Sequence, residues 1–178
     1  MKRLQKALIA GLTTASLLVL VSFSTLAVAN QNDGSNSNHF TARLDGFQQV
    51  PTLFSAGSGE FTATLSADGT TLSYTLTYTG LTAASAAHIH LGEPGTNGGV
   101  SAFLCGGGGK PACPASSGTV SGTITAADIV GPAGQGLAAG QFANFLTGLR
   151  AGATYVNVHT AAFPGGEMRG QIVTGESD

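Results

Sequence analysis

Residues 154–174 read TYVNVHTAAFPGGEMRGQIVT. Two alternating stretches flank the turn-forming Pro164-Gly165-Gly166, a pattern that predicts two antiparallel strands joined by a short connection. Side chains two apart on a strand share a face. Tyr155, Asn157 and His159 therefore fall together on the first strand, and Glu167 and Arg169 on the second. The residues Asn157, Glu167, Arg169 and Gln171 are expected to form a structural polar network, because buried polar groups need partners. Within it, Glu167 and Arg169 are expected to make a buried ion pair or to clamp backbone.

Upstream, residues 86–99 read AAHIHLGEPGTNGG. A short strand over 86–91 puts His88 and His90 on one face, with Ile89 and Leu91 on the other. Imidazoles at that spacing lie about 6.6–7 Å apart along the chain and can converge on one ion at about 2.0–2.1 Å. If this strand neighbours or faces the one carrying His159, the three histidines form a copper or zinc site with ring nitrogens within about 3–4 Å of one another. The alternative is that His88, His90 and His159 are hydrogen-bonded polar residues capping one end of the fold, with Asn157, Glu167, Arg169 and Gln171 as partners. A redox enzyme would need an open coordination position as well, and the sequence offers no bridging acid or second histidine cluster for it. His39, the fourth histidine, is expected to be solvated.

The same alternation runs through the first half of the chain. Phe40, Ala42 and Leu44 share a face, as do Phe61, Ala63 and Leu65, and Leu72, Tyr74, Leu76 and Tyr78. Asp68-Gly69 between the second and third sets is a tight-turn signal. Strands are also expected over 100–104 and 118–125, and a turn of helix over 126–130. The spacing of Leu137, Phe142, Phe145, Leu146 and Leu149 is closer to a helical period and predicts one short helix over 137–148. The count describes an all-β fold, an antiparallel β-sandwich of about seven to eight strands with one short helix.

Residues 1–29 stand outside this pattern. Lys2, Arg3 and Lys6 precede an uncharged apolar run over 7–26, and Ala27-Val28-Ala29 completes a signal peptide cleaved before Asn30. Residues 30–38 read as a polar linker, 39–174 as the domain and 175–178 as a tail. An apolar run of about 20 residues can also span a bilayer, but the small-residue site and the polar stretch behind it favour cleavage, leaving no membrane span. Of the 7 Lys+Arg and 9 Asp+Glu, the leader holds three of the basic residues and none of the acidic, so the mature chain carries about −5. Scattered acids with so few basic residues argue against nucleic acid, which needs clustered Lys and Arg.

Cys105 and Cys113 are the 2 cysteines, and both lie in CGGGGKPAC. In an exported chain an even count reads as a disulfide, and closing so short a loop constrains the unfolded state by roughly 2–3 kcal/mol. The loop at 92–99 has glycines but neither a following helix nor a lysine, so it does not read as a phosphate cradle. No G-x-S-x-G nucleophile elbow occurs.

Three stretches taken together resemble one family. FTARLDGFQQVP at 40–51, AAHIHLGEPGTNGGV at 86–100 and GATYVNVHTAAFPGGEMRGQI at 152–172 are similar to the CHRD domain, named for its occurrence in chordin, and the likeness covers about 39–173. It implies an extracellular module with no established catalytic activity, of the kind found singly in exported microbial proteins. Growth-factor antagonism is not implied, since the cysteine-rich modules that accompany the domain in chordin are missing. The H-x-H strand is also locally similar to that of copper-zinc superoxide dismutase, over a few residues only. The expectation is a non-catalytic binding or structural module, secreted or periplasmic, acting on an extracellular or envelope partner or ligand; the alternative is a copper- or zinc-binding protein.

Overall fold

The computed structural model describes residues 37–175. The leader expected over 1–29, most of the linker and the tail beyond Gly175 lie outside the described residues. Nine strands run in chain order: β1 His39–Asp45, β2 Ser58–Leu65, β3 Leu72–Thr79, β4 Ala84–Leu91, β5 Val100–Cys105, β6 Gly118–Ile124, β7 Thr154–Thr160, β8 Met168–Gln171 and β9 Val173–Thr174. One α-helix, α1 Phe142–Arg150, lies between β6 and β7. Among the described residues no helix is long and apolar enough to cross a membrane.

Every strand pairing is antiparallel, and the order is β5-β4-β7-β8-β1-β2-β3-β6, with β9 beside β1. The fold is therefore all-β with one short helix, as the alternation predicts. The detail differs from two stacked sheets. The nine strands form one hydrogen-bonded sheet, curled until the edge strands β5 and β6 approach each other. The closing strand is the reason. It pairs with β7 through Tyr155↔Gln171, Val156↔Gly170, Asn157↔Arg169 and Val158↔Met168. On its other side it meets β1 at Asp45↔Arg169 and, through β9, at Phe40↔Thr174 and Thr41↔Val173. One strand thus stitches the two halves together, which residue alternation alone does not reveal.

The inward faces supply the core. Phe40, Phe61, Leu72, Leu76, Ile89, Leu104, Val156, Val158 and Met168 are all 0% exposed. Each such side chain contributes on the order of 1.5–3 kcal/mol by leaving water. Tyr74 and Tyr78 also point inward, and their hydroxyls are satisfied by donating to Leu104 O at 2.7 Å and Pro114 O at 2.6 Å. The first of these bonds ties β3 to β5 across the gap between the sheet's edges. Burial raises both phenols, Tyr78 to about 12.

The helix begins later than its apolar spacing suggests. Leu137 is buried in the same core, but residues 138–141 form a turn in which the Gln141 N–H donates to Ala138 O at 3.2 Å and Gln141 Oε1 accepts from the Ala138 N–H at 2.9 Å. Regular helix starts only at Phe142 and buries Phe142, Phe145, Leu146 and Leu149.

Candidate metal centre

The strand register brings the histidines together. β4 lies between β5 and β7. Ala87 and Ile89 face the core, so His88 and His90 point to the outer side of the sheet. Opposite them His88 pairs with Asn157, His90 with Tyr155 and Ala86 with His159. His159 is consequently diagonal to His88 on the same outer face. The cluster lies on the flank of the sheet rather than at one end. It is nonetheless shielded: His90 is 8% exposed, and the other two are half-buried.

One ring nitrogen from each of the three lies within 4.8 Å of the others. His88 Nδ1 and His159 Nε2 are 3.1 Å apart. Two nitrogens bound to one ion at about 2.0–2.1 Å sit between about 3 and 4 Å from each other, depending on the angle. The His88–His159 pair already has that spacing, and the widest separation is no more than 4.8 Å.

Hydrogen bonds decide which nitrogen each ring presents. His90 Nδ1 lies 2.9 Å from Gly98 O, and His159 Nδ1 lies 3.0 Å from Pro164 O. A carbonyl oxygen only accepts, so both Nδ1 atoms carry the proton. Each Nε2 is left with a lone pair. His90 Nε2 is buried and finds no hydrogen-bond partner among the described residues, whereas His159 Nε2 accepts from His88 Nδ1. Burial favours the neutral form of all three rings. Burial, followed by the neighbouring His159 and His90, lowers His88 to about 4. Burial lowers His90 to about 4 against the opposing bond to Gly98, with His159 and Arg169 adding to the fall, and burial also lowers His159.

Two loops and an aromatic frame wall the cluster. Phe103 on β5 meets the His88 ring edge-on, with centroids 4.6 Å apart. Behind Phe103 runs the loop closed by the Cys105–Cys113 disulfide, with Cα atoms 5.1 Å apart. Its Gly107 and Gly108 lie flat against the Phe103 ring, where a Cβ on either would come to 2.7 Å from a ring carbon. On the other side, the Tyr155 ring stacks on His90 at 4.9 Å and an interplanar angle of 7°. The loop over 92–99 approaches β4 so closely at Gly98 that any Cβ there would overlap the Leu91 carbonyl oxygen.

Of the four residues expected to form a polar network, Asn157, Arg169 and Gln171 lie on the same outer face and Glu167 lies just ahead of β8, and none of them hydrogen-bonds the histidines. Arg169, 1% exposed, donates from Nη1 to Thr96 O at 2.7 Å and from Nη2 to Glu93 O at 3.0 Å, and lies 3.5 Å over the Tyr155 ring. Gln171 Nε2 donates to Gly92 O at 3.0 Å and Gly152 O at 2.7 Å. Asn157 accepts from Gln49 Nε2 at 2.7 Å and donates to Gly165 O at 3.3 Å. Glu167 accepts from Ser55 Oγ at 2.8 Å and Thr160 Oγ1 at 2.6 Å. Of the two roles expected for Glu167 and Arg169, the backbone clamp is made by Arg169, while the ion pair does not form, because Glu167 precedes β8 and turns toward the 46–57 connection. Among the described residues the one ion pair is Lys110–Asp128, at 2.7 Å. His39 stands apart on β1, its Nδ1 3.3 Å from Thr64 Oγ1.

Compared with known families, the CHRD domain matches residues 40–172, three quarters of the chain. The chain belongs to the CHRD family. No curated protein and no solved structure matches it.

Within this CHRD domain the match runs from β1 to the end of the closing strand, so all three histidines, the disulfide and the Arg169 clamp fall inside the family region. The participants that residue patterns do not point to are Phe103 and the two backbone carbonyls of Gly98 and Pro164. The sole sequence sign of those carbonyls is that each sits in a Gly- and Pro-rich turn near a histidine strand.

Proposed function

We propose that this CHRD domain is an exported module that binds a transition-metal ion, copper or zinc, through His88, His90 and His159. The observation that carries the reading is the pair of carbonyl bonds on the His90 and His159 Nδ1 atoms. Metal-ligating histidines characteristically donate their other ring N–H to a carbonyl or carboxylate, which fixes the tautomer and aims the lone pair. Three neutral imidazoles without a carboxylate suit copper or zinc and disfavour calcium and magnesium, which take oxygen ligands. His90 and His159 would offer Nε2. His88 would offer Nδ1, moving its proton to Nε2 as it gives up its bond to His159. Three protein ligands leave a further coordination position for water or for a group brought by a partner.

Export is supported by the leader pattern and by a disulfide, a bond of oxidising compartments. We assign the domain a binding role toward an extracellular or envelope partner or ligand and no catalytic one, on the strength of its full-domain family match. The test is metal analysis of protein purified without an affinity tag, alongside His90→Ala and His159→Ala. The expected result is one copper or zinc per chain in the parent and none retained by either variant.

A further inference from the structure

We propose that Arg169 is a positioning residue for this metal site, holding the 92–99 loop and the Tyr155 ring so that His90 presents a bare Nε2. The inference builds on the metal-binding reading, and its starting point is an electrostatic oddity. Arg169 is 1% exposed, yet no carboxylate lies within ion-pair distance of it among the described residues. A buried charge without a counter-ion is costly unless its hydrogen bonds are made. Arg169 makes its two shortest to backbone carbonyls of one loop, and Nη2 also donates to Gln171 Oε1 at 3.4 Å.

Two routes lead from its guanidinium to His90. The first is through main chain. Thr96 O and Glu93 O are gripped by Nη1 and Nη2, and the same turn is closed by the Thr96 N–H donating to Glu93 O at 3.1 Å. Two residues on, Gly98 O receives His90 Nδ1–H at 2.9 Å. The second is through the aromatic stack. Arg169 covers one face of Tyr155, His90 is stacked on that ring at 4.9 Å, and the Tyr155 hydroxyl oxygen accepts the Gly98 N–H at 3.1 Å. Both routes therefore end at Gly98 and His90. A planar fork that reaches two carbonyls while lying flat on a ring is a property of arginine that lysine does not share.

His159 supplies an internal control. Its Nδ1 is anchored by Pro164 O, in the β7–β8 turn, which Arg169 does not touch.

The experiment is two-bond ¹H–¹⁵N NMR of the imidazoles in the full chain without metal, paired with zinc titration, for the parent, Arg169→Met and Arg169→Lys. In the parent, His90 shows a protonated Nδ1 and a bare Nε2. In both variants His90 should become a mixture of tautomers while His159 keeps its own, and zinc affinity should fall roughly 10–100-fold. An unchanged His90 tautomer with unchanged affinity in a folded Arg169→Met protein would overturn the proposal. Should Arg169→Met fail to fold, Arg169→Lys decides, since it keeps the charge and loses the planar fork; a His90 tautomer that stays fixed in a folded Arg169→Lys protein also overturns the proposal. A parent that binds no zinc, with His90 still disordered by the Arg169 variants, supports the positioning role and defeats the metal reading alone.

Discussion

Two glycine-rich loops border the histidine cluster, and they are secured by opposite means. The 105–113 loop is stapled covalently, by the Cys105–Cys113 bond, with Lys110 Nζ adding contacts to Thr123 O at 2.6 Å and Asp128 at 2.7 Å. What it offers the cluster is backing for the Phe103 ring of β5, which meets His88 edge-on. The 92–99 loop has no covalent tie. It is held by Arg169, by Gln171 and by Asn97 Nδ2 donating to Val50 O at 3.1 Å. What it offers is a carbonyl aimed at one nitrogen of His90. A staple limits where a loop can go; a web of directed hydrogen bonds also sets which atom faces the ligand. The comparison predicts that damage to the first loop is felt mainly in stability and damage to the second in metal binding.

The sharpest way to break this contrast is Gly98→Ala. The added methyl would overlap the Leu91 carbonyl oxygen, so the loop must move off β4. The expected result is a loss of about 3 kcal/mol or more in urea denaturation, together with loss of tight metal binding. Wild-type stability in this variant would mean that the loop is not held against the strand.

Removing the staple should act differently. The double substitution Cys105→Ser with Cys113→Ser is expected to lower stability by roughly 2–3 kcal/mol. Copper or zinc affinity, measured by competition with a chelator, should change less than tenfold, because the His90 and His159 carbonyl bonds are untouched. A larger affinity loss than that caused by Arg169→Met would reverse the roles assigned to the two loops.

Acid sharpens the comparison from the side of the histidines. His88 and His90 are lowered to about 4 in the fold from 6.5 when exposed. The unfolded chain therefore binds more protons than the folded one between these values, and stability rises with pH across that window. Metal-free protein should keep its full histidine contribution above pH 6.5 and lose it progressively down to about pH 4. Urea midpoints across this range are the check. In the triple variant His88→Phe, His90→Phe, His159→Phe the histidine share of the slope should vanish, leaving that of carboxylates such as Asp128, which the fold also lowers. The smallest expected effect is that of Lys110→Met. Its ion pair with Asp128 is partly exposed, 14% and 23% on the two side chains, and is worth about 0–1 kcal/mol.

Much of this arrangement is legible in the amino-acid order. Phe61, Ala63 and Leu65 alternate because one face of β2 is buried, and they are 0%, 4% and 5% exposed. The Pro164-Gly165-Gly166 turn fixes the β7–β8 pairing, and period two places His88, His90 and His159 on faces that meet once β4 and β7 are neighbours. That neighbour relation is what the sequence alone leaves open, along with the curling of one sheet in place of two. The carbonyl partners of His90 and His159 are equally hidden, since every residue carries a carbonyl and only the fold aims it. The shared spacing of Glu167 and Arg169 allows an ion pair or a backbone clamp, and only the clamp, made by Arg169, is found. That spacing holds only within a strand, and Glu167 lies just ahead of β8.

The most direct test of the central claim is stoichiometric titration of untagged, metal-free full chain with copper(II) and zinc, followed by electron paramagnetic resonance of the copper form. The account predicts one tight site per chain, a spectrum showing nitrogen hyperfine coupling from imidazoles, and loss of both in His90→Ala. Binding that is absent, or that persists unchanged after all three histidines are replaced, would contradict it.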